Sequence, residues 1–400
     1  MQRLSESLES WRDVFIIHHF YDVDRDGTRH TCTGCYAHEH APRHLMRHLP
    51  GFMPFYQIQE SNIHGRGLFA TKNIRPGELI FAERPLMVLP GDEDLPEGFA
   101  CYRDDTIEQM CTELIRQFTP EEMESYASLG NVRDHGVSPQ LGKFLTNSVS
   151  ISFRDIRGTA TTRYNALFPT LCYTNHSCGP NSGWLFDYKT FAIFLRAGRA
   201  IAKGEEITVN YTNDSASRNE RIGSLRANYD FTCYCKHCTC ADVSSCDKSR
   251  QELSQWLDTT SINEWIMSDP ILTAQKVLNI FKLITLEGLE YAFAEKPFLA
   301  FTVLFGSLGL EEEMIHWGKY VVAMACVSQD FCETMLHWMS DPPITFPYWN
   351  RSPFSGDTAV IQAVFEKIQA YYDDKRKADY HDVPKKTVLL RKMMMRLCSV

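Results

Sequence analysis

The octapeptide Thr174-Asn175-His176-Ser177-Cys178-Gly179-Pro180-Asn181 is the most informative stretch of the chain. It packs polar side chains and turn formers around one cysteine. Asn175 and His176 offer fixed hydrogen-bond donors and acceptors, and Gly179-Pro180 turns the chain sharply. Taken alone, the segment reads as a surface turn with a satisfied histidine, or as a Cys-His nucleophile pair. Adjacency in sequence, however, does not place a base against a thiol. Neither reading explains why the apolar run Ala166–Cys172 leads into it.

Three further stretches lie outward from this one. Gly204-Glu205-Glu206-Ile207-Thr208-Val209-Asn210-Tyr211 reads as a turn and a strand that ends at a tyrosine. Gly65-Arg66-Gly67-Leu68-Phe69 reads as a turn whose backbone is free to approach a ligand closely. Cys233-x-Cys235-x2-Cys238, followed by Cys240 and Cys246, places five cysteines in 14 residues. Three thiolates within six residues wrap one zinc ion, and a structural zinc takes four ligands in a tetrahedron. The spacing leaves the fourth open between Cys240 and a distant part of the chain.

The composition sets the frame. A chain of 400 residues with 44% hydrophobic and 23% charged residues is ordinary globular material, sized for two domains or one elaborated domain. Forty-one basic against 50 acidic residues give a net charge of −9, the wrong sign for coating a duplex. Direct nucleic-acid binding is not expected, and a basic partner suits the sign. No secretory signal or membrane-spanning segment is read in the sequence. The expected location is intracellular, in nucleus or cytoplasm, where thiols stay reduced. In that setting the 14 cysteines point to metal or chemistry rather than to bridges.

Three regions separate along the chain. Residues 1–54 are irregular and His-rich, with seven of the 14 histidines between His18 and His48. Residues 55–245 alternate short apolar runs with turns, such as Leu68–Ala70, Leu79–Phe81, Leu86–Leu89, Phe191–Leu195 and Glu206–Val209. A helical insert interrupts them at about 95–145. Its signature is Thr119-Pro120-Glu121-Glu122, an N-cap followed by proline and acids in the first turn. Residues 250–400 carry helical periodicity at Ile271–Tyr291, Thr302–Val327 and Thr358–Tyr372, and the four prolines of Asp341–Pro353 predict a loop. The fold class is α+β.

In their order and spacing these motifs resemble the SET-domain protein lysine methyltransferases, specifically the SET-and-MYND (SMYD-like) group. The likeness runs from about Tyr56 to Cys240. Its carriers are Gly65–Ala70 with Ile74–Ile80 and Glu83-Arg84-Pro85, the NHSCxPN signature at Asn175–Asn181, and the GEExxxxY signature at Gly204–Tyr211. A post-SET pattern follows at Arg221, Leu225, Tyr229-Asp230-Phe231-Thr232-Cys233-Tyr234-Cys235-Lys236-His237-Cys238, centred on 228–240.

The resemblance implies a SET-domain β-fold with a helical insert, a zinc-binding post-SET segment and an α-helical C-terminal region. It implies S-adenosyl-L-methionine as cofactor and the side-chain amine of a lysine in a basic protein as acceptor. On the family pattern Gly65, Arg66 and Gly67 lay backbone along the methionine part of the cofactor. Asn175 and His176 hydrogen-bond it, and Phe231 stacks on the adenine. Tyr211 sets its hydroxyl beside the transferring methyl, and Tyr229 lines the lysine channel. Cys178 becomes the fourth ligand of a structural zinc with Cys233, Cys235 and Cys238.

Two departures accompany the match. No cysteine falls between Tyr56 and Cys101, so the MYND zinc module is not expected there. Cys32-x2-Cys35, with His38, His40, His44 and His48, offers donors for a second zinc or is a loose exposed cluster. Two other functions remain open at this point: a cofactor-binding scaffold without turnover, and a SET fold turned to a small molecule. The sequence says nothing of oligomeric state.

Overall fold

A computed structural model describes residues 55–90, 103–133, 136–154, 161–187, 192–240, 242–324 and 329–378, and the backbone of 17–23 and 29–35. Two units are distinguished. One comprises 1–176, 182–209 and 222–233, and the other 177–181, 210–221 and 234–400.

The first unit holds the sheets. Strands β1 (Ile17–Val23) and β2 (Arg29–Cys35) pair antiparallel from Ile17↔Cys35 to Val23↔Arg29, within a region whose sequence reads as irregular. Asp26-Gly27 between two strand-like runs is the hairpin signal that its histidines obscure. The Cys-His cluster left open between a second zinc site and a loose exposed group lies outside the described side chains. His38, His40, His44 and His48 are not among them, and Cys32 and Cys35 are described only by backbone pairing.

Four strands build the sheet that matters for the site: β3 (Tyr56–Glu60), β4 (Arg66–Ala70), β12 (Glu206–Val209) and β9 (Asn175–His176), in that spatial order. Alternation drives them: β12 buries Ile207 and Val209, and β4 buries Leu68 and Ala70. A three-stranded sheet joins β10 (Ser182–Asp187), β11 (Ala192–Ala197) and β5 (Leu79–Glu83). Another joins β6 (Met87–Pro90), β8 (Thr161–Leu167) and β7 (Val149–Arg154). The runs at 79–81, 86–89 and 191–195 thus fall on strands, to within a residue or two.

The helical insert is present as α1 (Arg103–Ile115), α2 (Pro120–Ala127) and α3 (Pro139–Asn147). Helix α2 starts where the sequence says. The Thr119 hydroxyl accepts from the Glu122 amide, and the Glu122 carboxylate accepts from the Thr119 amide, a complete capping box. The insert buries Ile107, Met110, Cys111, Tyr126, Leu141 and Phe144 against Met87, Leu89 and Leu167. The first unit therefore carries the insert helices on the β6–β8 sheet.

A helix not foreseen in the sequence, α4 (Arg218–Tyr229), leads into the cysteine segment. The second unit is helical beyond it: α5 (Val243–Thr259), α6 (Ile262–Met267), α7 (Pro270–Glu287), α8 (Glu290–Phe293), α9 (Glu295–Ser307), α10 (Glu311–Met324), α11 (Gln329–Ser340), α12 (Pro342–Thr345) and α13 (Thr358–Ala378). Its core gathers Trp265, Val277, Phe301, Phe305, Trp317 and Phe365. Three boundaries differ from the periodicity. The described part of Thr302–Val327, up to Met324, lies on two helices broken around Gly309, at φ +79°. Helix α7 stops at Glu287, where Gly288 takes a left-handed cap at φ +63°. The proline-rich 341–353 holds the short α12, because proline suits a first helical turn.

Candidate active site

Strand β12 is the organiser. Along one edge it pairs antiparallel with β4, Glu206↔Phe69 and Ile207↔Leu68. Along the other it pairs parallel with the two-residue β9, Thr208↔Asn175 and Val209↔His176. The GxG strand, the Asn-His pair and the strand that runs to Tyr211 thus lie side by side, although 65 and 211 stand far apart in sequence.

Side chains lock this arrangement. The Asn175 Nδ2 donates to the carbonyls of His64 (3.1 Å) and Arg66 (3.2 Å) and to the Glu206 carboxylate (2.7 Å). The Ser61 hydroxyl donates to the same carboxylate at 2.8 and 2.9 Å. A Cβ on Gly67 would sit 2.2 Å from Glu206 Oε1 and 3.1 Å from Asn175 Nδ2, so only glycine fits beneath this network. The Arg66 guanidinium lies 4.7 Å from the Tyr173 ring centroid and donates to the Ser128 hydroxyl at 2.9 Å.

An aromatic group stands beside it. The half-buried Phe231 ring has its centroid 6.0 Å from His176, 6.5 Å from His64 and 6.5 Å from Tyr229. Tyr229 ends α4, and Asp230 follows in the left-handed region at φ +54°, which turns the chain toward Phe231. Burial pushes the Tyr229 hydroxyl above the usual phenol range, against a smaller opposing pull from Arg133, so it stays neutral.

The turn bearing Tyr211 is held independently. Asn210 Nδ2 donates to the Thr212 carbonyl (2.9 Å) and the Asp214 carboxylate (2.6 Å), and the Tyr291 hydroxyl bonds the same carboxylate. Arg250, fully buried on α5, donates through Nη1 to the Asp214 carbonyl (2.8 Å). It also donates through Nη2 to the Cys178 carbonyl (2.7 Å) and through Nε to Glu287 (3.0 Å), itself fully buried.

The thiols of Cys178, Cys233, Cys235 and Cys238 lie within 4.8 Å of one another, three of the four residues buried. Four sulfurs so placed fit a closed tetrahedral zinc site with no position for water. Of the two sources that spacing leaves open for the fourth thiol, the distant one is realised. Cys240 instead lies 3.2 Å from Cys246, sulfur to sulfur. Burial alone would lower the pKa of the fully buried Arg221, but the Cys178 and Cys238 thiols beside it outweigh that and raise it. Gly179, the variable position of NHSCxPN, has a physical cause. A Cβ there would meet His237 Nε2 at 2.2 Å and the Glu287 carbonyl at 2.6 Å. Burial holds His237 down at about 4, as a neutral ring.

This geometry agrees with the family comparison: the SET domain family model matches residues 65–212. The chain carries a SET domain. Histone-lysine N-methyltransferase set5 of Schizosaccharomyces pombe is 29% identical over 184 residues, 46% of this chain and 50% of that one. SET domain-containing protein SmydA-8 of Drosophila melanogaster is 26% identical over 262 residues, 46% of this chain and 56% of that one. Human N-lysine methyltransferase SMYD2 is 31% identical over 118 residues, 30% of this chain and 26% of that one. The chain thus spans about a quarter to somewhat over half the length of these curated relatives. It is related to lysine methyltransferases through this domain.

Of the sequence candidates, Arg66, Gly67, Asn175 and His176 share one sheet and Gly65 directly precedes it, while Phe231 stands beside His176 and Tyr229 beside Phe231. The Asn175 amide nitrogen is engaged by protein groups. Sequence reasoning missed Glu206, Ser61, Arg250, Glu287, Asp214 and Tyr291. Of these only Glu206 falls within a motif, Gly204–Tyr211, and the others read as ordinary polar or charged positions.

Proposed function

We propose that the chain is an S-adenosyl-L-methionine-dependent methyltransferase that modifies the side-chain amine of a lysine in a protein. The observation that carries the reading is the convergence on β12 of the GxG strand, Asn175-His176 and the lead into Tyr211, in the order of the matched SET domain. S-Adenosyl-L-methionine, when bound, supplies an electrophilic methyl on a sulfonium.

The residues present suit that group. Space opens above Gly65, where a Cβ would meet nothing within 4 Å, so backbone is free to approach a ligand. Phe231 offers an aromatic face for a purine. Asn175 offers Oδ1 from a side chain already fixed by Glu206. Tyr211 orients the acceptor, and Tyr229 lines its path as a neutral phenol. Zinc held by Cys178, Cys233, Cys235 and Cys238 ties the post-SET segment down, two residues past Phe231.

The acceptor amine must lose a proton. With a pKa near ~10.4, about one free lysine in 2,500 is neutral at pH 7. A lipophilic channel lowers that pKa by desolvation, and the chain needs no dedicated general base. The net charge of −9 favours a basic substrate.

The test is labelled cofactor with a panel of basic peptides and a cell extract, followed by site mapping. Transfer to lysine is expected, with Tyr211→Phe losing most turnover while cofactor binding survives. Cofactor binding without transfer to any amine would leave a scaffold, and transfer to a small molecule alone would move the acceptor out of the protein class.

A further inference from the structure

Among the described cysteines outside the four-thiol group, Cys240 and Cys246 stand next to each other. Their sulfurs lie 3.2 Å apart, and both side chains are part-exposed, whereas Cys178, Cys233 and Cys238 are buried. Each is mounted on ordered backbone. Cys240 follows Cys238 by two residues, with its sulfur 3.6 Å from the His237 carbonyl. Cys246 lies in the first turn of α5, whose N-cap Asp242 accepts from the Ser245 amide at 3.0 Å, and its own amide reaches the Asp242 carbonyl. Closing the gap to a bonded ~2.05 Å takes a movement of about 1 Å.

We infer that Cys240 and Cys246 form an oxidation site, a dithiol that a hydroperoxide converts to a disulfide beside the four-thiol cluster. The Cys240 thiolate attacks one peroxide oxygen, the O–O bond breaks, and water leaves after protonation, giving a sulfenic acid. Cys246 sulfur then attacks the Cys240 sulfur, the S–O bond breaks, and a second water leaves. Two thiols lose two electrons and one peroxide becomes two waters. A small thiol reopens the bond by exchange and is itself oxidised. The four cluster sulfurs face one another in an arrangement that fits zinc, whereas Cys240 and Cys246 are a part-exposed pair outside it with sulfurs 3.2 Å apart. The product fastens the chain leaving the cluster to the first turn of α5. None of this depends on methyl transfer.

The experiment treats the zinc-loaded full chain with graded hydrogen peroxide, alkylates it, and cleaves before aspartate without reduction. Cleavage before Asp242 separates the two cysteines, so a linked peptide pair is diagnostic. The expected result is that pair, a loss of two titratable thiols per chain and unchanged zinc. Cys246→Ser should leave a sulfenic acid at Cys240 that dimedone traps. The inference is overturned if peroxide consumes Cys178, Cys233, Cys235 or Cys238 with zinc release while Cys240 and Cys246 still alkylate. It is equally overturned if both stay reduced under all peroxide levels, or if they prove to be protected by a second metal.

Discussion

Replacing Arg250 by methionine tests the tie between helix α5 and the segments bearing Cys178 and Tyr211. The guanidinium is fully buried and makes three bonds: to Glu287, to the Asp214 carbonyl and to the Cys178 carbonyl. Methionine keeps much of the volume but leaves Glu287 as a buried carboxylate with no cation. Removing one partner of a buried pair costs about 3–5 kcal/mol, and the two orphaned carbonyls add about 1 kcal/mol each where they stay dry. We expect a loss of about 5 kcal/mol, read as the urea midpoint followed by tryptophan fluorescence. Zinc release to a chelator should quicken in parallel, because Cys178 loses its backbone anchor. Glu287→Gln in the Arg250→Met background should restore about 1–3 kcal/mol, since it removes the stranded charge. Additive single and double variants, or an Arg250→Met midpoint within experimental error of wild type, would refute the reasoning.

Three further outcomes follow. Gly67→Ala pushes a methyl into Glu206 and the Asn175 amide, so stability should fall by about 1–3 kcal/mol, and calorimetry should show cofactor binding weakened tenfold or more; unchanged affinity removes the strut role. Burial lifts the Glu295 carboxyl to about 7, above its unfolded value near 4.5, so the fold binds an extra proton between these values. Stability from this group is therefore full below pH ~4.5 and lost as pH rises through about 7; Glu295→Gln should flatten that slope and add of order 2 kcal/mol above pH 7, and parallel pH profiles of the two proteins would exclude the effect. Chelating the zinc should release four thiols to a thiol reagent and lower the melting temperature, with Phe231-dependent cofactor binding lost alongside; retained binding by zinc-free protein would separate the two.

Local chemistry was legible wherever its cause was local. The helix start at Thr119-Pro120 and the turn-bounded strand Glu206–Val209 are written in adjacent residues, and the structure places both as read. The hairpin Ile17–Cys35 and helix α4 were not read, the first hidden by its histidines and the second by a cysteine pattern that drew attention past it. The long periodic run from Thr302 concealed a break, since buried helices that are apolar on all sides continue their pattern through a turn. The motif residues were legible as a set only through their likeness to a family. Spacing by itself left the fourth thiol undecided between Cys240 and a remote cysteine.

Residue type carries chemistry, but orientation decides which atom performs it. The Asn175 amide nitrogen shares its two hydrogens among the His64 and Arg66 carbonyls and the Glu206 carboxylate. It thereby fixes the backbone on both sides of Gly65. Arg250 and Glu287 show the same rule from the other side. Each reads in sequence as an ordinary surface charge, and 37 residues separate them. Burial converts them into a rigid tie, because a dry arginine with three carbonyl or carboxylate acceptors has no alternative partner. Arg250 holds the backbone at Cys178 and at Asp214, three residues beyond Tyr211, with one guanidinium, so loosening either segment must loosen the other.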